Sequence, residues 1–596
     1  MKRIAGAWLP LVFIVAVSCT SNKKQANTRA VLTPYDTTRA FLETEQLLSR
    51  QGGPTTTQVS NLEKLGIIWG FLKYHHPVLQ EGKYDWDNQF FGMLPQILQA
   101  DRPTAADRIL EAWVDGLGPA APCKNCTSTI SDSLIKLKPD YGKLFNPGYL
   151  PASLAGKLKQ LCKDGIATPH YVRRGNAGSP EFVNEPDHGD GFPAVSVRIL
   201  ALFRYWNIIR YYYPYRYRAK NWDAVPALFL PRFIAAKNQA DYTLAVLRLV
   251  TTLGDAHAGI YVNQTLDSLA GNYLLPIKCA YIEGKVVVYD YITAGKKIRN
   301  TILKGDIITR INDTPIDTAI NRLLDRTPGA SYAIQMSYLL YPRGLSPLIR
   351  THQPFSTLTL LRNDRVIRQT VQTIRNDSSL QKALSRKIIK PKYRVLFDSI
   401  GYLDAQQLQD SDFAAMRSKL NPTRGLIIDL RGYPPPYMYS LYGGWLKSAK
   451  TAFARHSIWD LQEPGRFNFV YNYTGGQPGV ANGRNIPDTL KYNGKIIILV
   501  NNFTISRSEY TAMSFSSIPG ARVLGSPTAG ADGDVSRVPL PGAIETYISG
   551  IGIYYPDGSE TQGTGVKIDI PVYPSIEGII KGKDEQLEKA IQVLQK

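Results

Sequence analysis

The stretch NNFTISRSEYTAM at residues 501–513 follows directly on the apolar run Lys495-Ile-Ile-Ile-Leu-Val500 and holds two serines and a glutamate. A serine hydroxyl attacks a carbonyl only when a base takes its proton and N–H groups face the developing oxyanion. A serine placed where a strand turns into a helix meets half of that need, because the free N–H groups of the first turn and the helix dipole favour negative charge. The same place is also where a serine commonly serves as an N-cap. Ser506 and Ser508 therefore read either as nucleophile candidates or as capping residues.

An internal repeat singles out one histidine. Trp69-Gly-Phe-Leu-Lys-Tyr-His-His-Pro77, Asp85-Trp-Asp87, Leu94-Pro95 and Leu117-Gly118 recur as Trp206-Asn-Ile-Ile-Arg-Tyr-Tyr-Tyr-Pro214, Asn221-Trp-Asp223, Leu230-Pro231 and Leu253-Gly254. In both stretches tryptophan to proline is eight residues, the second tryptophan to the next proline nine, and that proline to the glycine twenty-three. Such agreement predicts a duplicated helical unit, each copy closed by a glycine. Gly118-Pro-Ala-Ala121 in the first stretch stands against Gly254-Asp-Ala-His257 in the second. His257 has no counterpart, so scaffold does not explain it, whereas His75 and His76 are replaced by Tyr212 and Tyr213 and read as packing.

The elements around these residues divide the chain. Helical units are expected at 51–180 and 190–268, the second carrying His257. From 270 to 378 short β-rich runs such as Val286-Val-Val-Tyr289 and Phe355-Ser-Thr-Leu-Thr-Leu-Leu361 surround Leu303-Lys-Gly-Asp-Ile-Ile-Thr-Arg-Ile-Asn-Asp-Thr-Pro315, a pattern that resembles a PDZ domain. Such domains take a peptide as an added strand. A plain β spacer is the other reading. From 390 to 596 apolar runs alternate with helices: strands are expected at 394–397, 400–403, 425–432 and 495–500 and a helix at 410–419. The fold class expected is therefore multidomain α/β, with a mixed-sheet core behind a small β domain and helical units. Reactive groups in such sheets gather at strand ends, here Gly432 and Asn501-Asn502.

The chain begins with Lys2 and Arg3, an apolar run Ala7 to Val17, and Ser18-Cys19, which reads as an export signal over residues 1–19. Ala16-Val-Ser-Cys19 resembles a bacterial lipoprotein signal, which implies lipid on Cys19, a polar tether over 20–50 and a membrane-anchored, periplasm-facing protein of the cell envelope. A plain secretory signal is the alternative. The net charge of +21, from 70 Lys+Arg against 49 Asp+Glu, is scattered rather than run together and reads as solvated surface, with no nucleic-acid partner. Cys123-Lys-Asn-Cys126 reads as a disulfide or free thiols rather than half of a metal site, and no metal or organic cofactor is expected.

The stretch around Ser506 resembles the nucleophile motif of the tail-specific, or C-terminal processing, serine peptidases and their tricorn-type relatives, whose crotonase-like core it would share. In that motif the nucleophile lies three residues before a glutamate, here Glu509, which selects Ser506 over Ser508. Asp429-Leu-Arg-Gly432 looks like the oxyanion-hole strand end, Gly525-Ser-Pro-Thr-Ala-Gly530 like a following loop, Gly565-Val-Lys-Ile-Asp-Ile570 like a late strand, and Gly582-Lys-Asp-Glu-Gln-Leu587 follows it. One branch uses a lysine twenty-five residues after the serine; here that position is Ala531. The tricorn-type branch uses a histidine in a Gly-Xaa-Xaa-His loop, which His257 matches. The resemblance implies an exported endopeptidase acting on polypeptides, with Ser506 as nucleophile, His257 as base and the N–H groups of Gly432 and Arg507 as oxyanion donors. The glutamate that orients the histidine in that branch is replaced by Gln562; Glu560 and Asp255 stand nearby in sequence, and the third member stays open. A catalytically degenerate peptide-binding scaffold and an envelope assembly protein are the alternatives.

Overall fold

The computed structural model describes residues 34–596 except 50–51, 121–129, 165, 167, 190, 293–295, 342–345, 386–390, 437, 447–451 and 474–485. Cys19 and its signal, and the Cys123/Cys126 pair, lie outside the described residues. Among the described residues no helix is long and apolar enough to cross a membrane.

Two helical stretches carry matching internal contacts. The first comprises Thr56–His75, Trp86–Gln99 and Pro103–Asp115; the second comprises Val195–Tyr212, Val225–Ala235 and Gln239–Thr251. The Trp69 indole N–H donates to the Trp86 carbonyl at 3.2 Å, and the Trp86 indole donates back to the Trp69 carbonyl at 3.0 Å. Trp206 and Trp222 make the same reciprocal pair at 2.8 and 3.2 Å. Lys73 lies 4.8 Å from the Trp69 ring centroid and pairs with Asp87; Arg210 lies 4.9 Å from the Trp206 centroid and pairs with Asp223. A buried indole needs an acceptor for its N–H, and each of these pairs supplies one while docking the next segment on the first helix.

The first helices of the two stretches pack on each other, like against like. A Cβ on Gly66 would stand 2.1 Å from the Phe203 ring, and one on Gly70 would stand 2.0 Å from the Asn207 amide. Tyr74 meets Tyr211 edge to face at 5.9 Å. Each partner stands the same number of residues from its own tryptophan, so the helices run parallel about a local pseudo-two-fold axis. Only glycine admits the ring and amide at that crossing. Both helices are buried on nearly every face, and residues from both stretches share one apolar core. The hairpin Val535–Leu540/Ile544–Ser549 is built into that core through Val538, Leu540, Ile544 and Ile548.

The small β domain is an antiparallel sheet in the order Arg365–Gln372, Phe355–Arg362, Ile307–Ile311, Lys285–Tyr291, Ile277–Ile282, with helices Ile316–Leu324 and Tyr332–Leu340. The larger sheet runs Tyr393–Leu396, Ile400–Asp404, Gly425–Asp429, Lys495–Val500, Arg522–Gly525, Ile570–Pro571, antiparallel for the first pair and parallel thereafter. Its strands alternate between two faces. Leu426, Ile428, Ile496 and Ile498 pack with Trp445 and Phe515, while Ile427, Ile497 and Leu499 pack with Ala590 and Leu594 of the last helix. Two expected elements differ. The strand expected over 425–432 ends at Asp429, where the carboxylate accepts the Arg431 amide and turns the chain. The strand expected from Gly565 begins only at Ile570, because the Val566 amide is taken by the Thr528 hydroxyl instead of a strand neighbour.

Candidate active site

Strand Lys495–Val500 delivers the chain to Ser506, which directly precedes helix Arg507–Ser516. Ser506 occupies the N-cap position, yet its hydroxyl makes no capping hydrogen bond. Its backbone has φ 56° and ψ −122°, a conformation that L residues other than glycine rarely adopt. Such strain costs on the order of 1–3 kcal/mol and persists only where surrounding contacts impose it. Here they are the Ser506 amide bonded to the Ala531 carbonyl at 2.8 Å and the buried Glu509 carboxylate. Glu509 accepts from the Thr528 hydroxyl at 2.5 Å and the amides of Gly530 and Ala531 at 2.8 and 2.9 Å, fixing the loop after Gly525. Burial raises the Glu509 carboxyl above its usual range, and those hydrogen bonds oppose the shift. Burial and the neighbouring Glu509 both push Asp532 up.

The Ser506 hydroxyl donates to the Gly533 carbonyl at 3.2 Å and lies 3.5 Å from the Tyr433 hydroxyl. Ser508 points elsewhere, donating to the Gly432 carbonyl at 3.3 Å. The amides of Gly432 and Arg507 donate to no protein acceptor among the described residues. The turn holding Gly432 is braced by Arg431, which contacts Asp429 at 2.7 Å and Asp584, the N-cap of the last helix, at 2.8 Å.

His257 comes from the loop that leaves helix Gln239–Thr251 and is buried. Its neighbour Ala256 packs in one apolar cluster with Ala529 and Ala531, against which Ile505 also packs. The residue beside the candidate base and the residue beside the candidate nucleophile thus share one small core, although the two side chains do not hydrogen-bond to each other. The His257 Nε2 has no partner among the described residues. Burial lowers its pKa from the ordinary histidine value, against the opposing charges of Asp255 and Asp534.

Of the three residues the sequence offers to orient the ring, Gln562 and Glu560 make no hydrogen bond to it, and Asp255 reaches it through Ser549. His257 Nδ1 lies 3.0 Å from the Ser549 hydroxyl. Glu560 is instead held by Tyr217 and Arg218, at 2.5 and 3.1 Å, which draws its carboxylate into a surface ion pair. Gln562 is buried, but its Oε1 meets no hydrogen-bond partner. Asp255 does reach the ring's surroundings, accepting the Ser549 hydroxyl at 3.1 Å. Ser549 carried no signal in the sequence, since a serine at a strand end is unremarkable until the fold brings it across 292 residues.

The small β domain touches both loops: the Tyr338 hydroxyl donates to the Ala256 carbonyl at 2.5 Å, and the Asn502 amide to the Ser337 hydroxyl at 2.5 Å. Among the described residues no group of three or more His, Cys, Asp or Glu could hold a metal ion.

Residues 399–572 match the model of Peptidase family S41. Comparison with curated protein sequences gives no match. Among solved structures, mature CPAF complexed with lactacystin is 15% identical, with 67% of this chain and 98% of that chain covered and a TM-score of 0.50. A mutant of CPAF is 14% identical over 67% and 97% of the two chains, at 0.51. The photosystem II D1 C-terminal processing protease is 16% identical over 67% and 98%, at 0.40. At these identities the likeness to the CPAF structures is one of fold.

Proposed function

We propose, on the premise that the chain is a serine-type peptidase of family S41, that it cleaves polypeptides with Ser506 as nucleophile and His257 as general base. The observation that carries this reading is the pairing of opposites at one site. A strained serine whose hydroxyl is not used as a cap stands across the Ala256/Ala531 cluster from a buried imidazole whose Nε2 is unengaged. The Ser506 hydroxyl turns off the Gly533 carbonyl and gives its proton to His257 Nε2 as its oxygen bonds the scissile carbonyl carbon. The carbonyl oxygen takes the negative charge and faces the free amides of Gly432 and Arg507, at a helix N-terminus. His257 returns the proton to the leaving amine, and water repeats the sequence on the acyl-enzyme. Ala531, which is fully buried and apolar, supports a base other than lysine.

Around this core, the matching tryptophan pairs support reading the two helical stretches as copies of one unit, with the base kept in the second only. The edge of strand Ile277–Ile282, which pairs with no further strand among the described residues and lies beside helix Tyr332–Leu340, supports a PDZ-like domain that takes peptide as an added strand. The sequence around Cys19 supports export and a lipid anchor facing the periplasm.

A second reading, a peptide-binding scaffold without turnover, is favoured by one observation: the Ser506 hydroxyl is bonded to Gly533 rather than to His257. A fluorophosphonate probe separates the two. The peptidase reading expects labelling of the wild type, none of Ser506→Ala and little of His257→Ala; equal labelling of all three, or none of any, overturns it.

A further inference from the structure

The His257 ring enters one short relay through Nδ1, while Nε2 has no partner among the described residues. Nδ1 lies 3.0 Å from the Ser549 Oγ, and that hydroxyl donates onward to Asp255 Oδ1 at 3.1 Å. The other Asp255 oxygen accepts the Ser549 amide at 2.9 Å, and Oδ1 also accepts the His257 amide at 2.9 Å. The carboxylate is thus pinned by two backbone amides, one from each side of the contact, and is 1% exposed. With the Ser549 proton directed at Asp255, the Oγ lone pairs face the ring, and Nδ1 must carry the proton that fills them.

We infer that Ser549 and Asp255 are the positioning residues of the His257 base, supplanting the sequence position occupied by Gln562. The inference rests on the reading of His257 as the base. Ser549 fixes the Nδ1–H tautomer, which leaves the Nε2 lone pair available to the Ser506 hydroxyl. Asp255 polarises Ser549 and supplies the negative charge that stabilises the imidazolium formed in the reaction. The arrangement is rigid on both sides. Asp255 follows Gly254 at the exit of a helix in the large apolar core, and Ser549 ends a hairpin whose residues pack in that same core.

The charged and titratable groups near the ring are Asp255 and Asp534. Tyr261 donates to the His257 carbonyl, and the Tyr213 hydroxyl interacts with Asp255. Asp534, itself accepting from the Ser179 hydroxyl at 2.6 Å, acts on the ring by charge alone, so it provides a control.

The test reads the ring without turnover. In full-length Ser506→Ala protein, the ¹⁵N shifts of His257 are expected to report the Nδ1–H tautomer at neutral pH. Adding Ser549→Ala is expected to mix the tautomers, while Ser549→Thr, which keeps the hydroxyl, restores the first. Asp255→Asn is expected to lower the titration midpoint of the ring and loosen its tautomer; Asp534→Asn is expected to lower the midpoint and leave the tautomer unchanged. In the active protein, Asp255→Asn is expected to reduce kcat by about 10²–10⁴-fold with KM little changed, and to move the acid limb of kcat/KM to lower pH. An unchanged tautomer in both Ser549→Ala and Asp255→Asn overturns the inference, as does a raised midpoint in Gln562→Glu, which would place the orienting group at the other position. Failure of the peptidase reading has a different signature: no probe labelling of Ser506, with the ¹⁵N pattern intact.

Discussion

The two helical stretches have the same reciprocal tryptophan bonds, the same cation beside the first ring and the same acid partner, and they meet at the same three positions of their first helices. They part after the third helix. The second stretch passes Gly254 into Asp255 and His257, while the first passes Gly118 into Pro119 and carries Ala121 where the histidine stands. The difference teaches that the contacts that hold the unit together lie upstream of the glycine, and that the loop beyond it is where the two stretches were free to differ. The loops differ while the tryptophan pair is kept in both.

The sharpest break of that comparison is at the loop. His257→Ala is expected to lower kcat/KM by about 10⁶-fold, the scale seen when the histidine of a serine triad is removed, with the melting temperature little changed. Peptide hydrolysis and thermal unfolding measured on one preparation check both parts. Next in size is the crossing. Gly70→Val puts a branched side chain where Asn207 is already bonded to the Gly66 carbonyl, so neither helix can yield cheaply. Stability is expected to fall by about 3 kcal/mol, read by urea unfolding, and the same substitution at an exposed helical glycine should not reproduce it.

A pH effect separates the stretches further. Burial pushes the His75 imidazole down to about 4, and its counterpart is Tyr212, which does not titrate in that range. As pH falls below the ordinary histidine value, the unfolded chain takes up a proton that the folded one refuses. The stability tied to His75 is therefore full above about 6.5 and is lost as pH falls toward 4. His75→Phe, which preserves the stack on Phe71, is expected to recover about 2 kcal/mol at pH 5 relative to wild type and little at pH 7.5. His456, also pushed down to about 4 by burial, keeps its own contribution in that variant. The smallest effect is at the tryptophans. Trp69→Phe and Trp206→Phe each remove one indole donor and leave a buried carbonyl short of a partner, costing about 1 kcal/mol apiece. Only the second is expected to lower kcat as well, because the helix it braces leads on to His257. Equal kinetic effects of the two would mean that both stretches set the position of the base.

Much of the larger sheet was legible in the chain. The run Lys495–Val500 is a strand over those residues, since six apolar-rich positions between turn signals leave little choice. Glycines 118 and 254 do stand past their helices with φ 73° and 61°. The family resemblance singled out Ser506 through its place three residues before Glu509, and the structure gives that glutamate a task, as the anchor of the loop that holds the serine amide. What could not be read was anything decided by tertiary contact alone. Ser549 became a neighbour of His257 only through the burial of a hairpin in the helical core, and Glu560 was removed from candidacy by Tyr217 and Arg218, which lie more than three hundred residues away in the chain. Gly66 and Gly70 did carry a signal, two small residues one turn apart in an otherwise bulky helix.

The His257–Ser549 contact spans 292 residues, and the hydroxyl at its far end belongs to a hairpin built into the helical core. A partly folded chain whose hairpin has not yet docked has no Ser549 hydroxyl to hold the imidazole, whatever else has formed. Contacts of such long range form late, after the local helices and strands. On the peptidase reading, the serine gains its oriented base only once the hairpin has docked, so catalytic competence follows tertiary assembly rather than the formation of either local element.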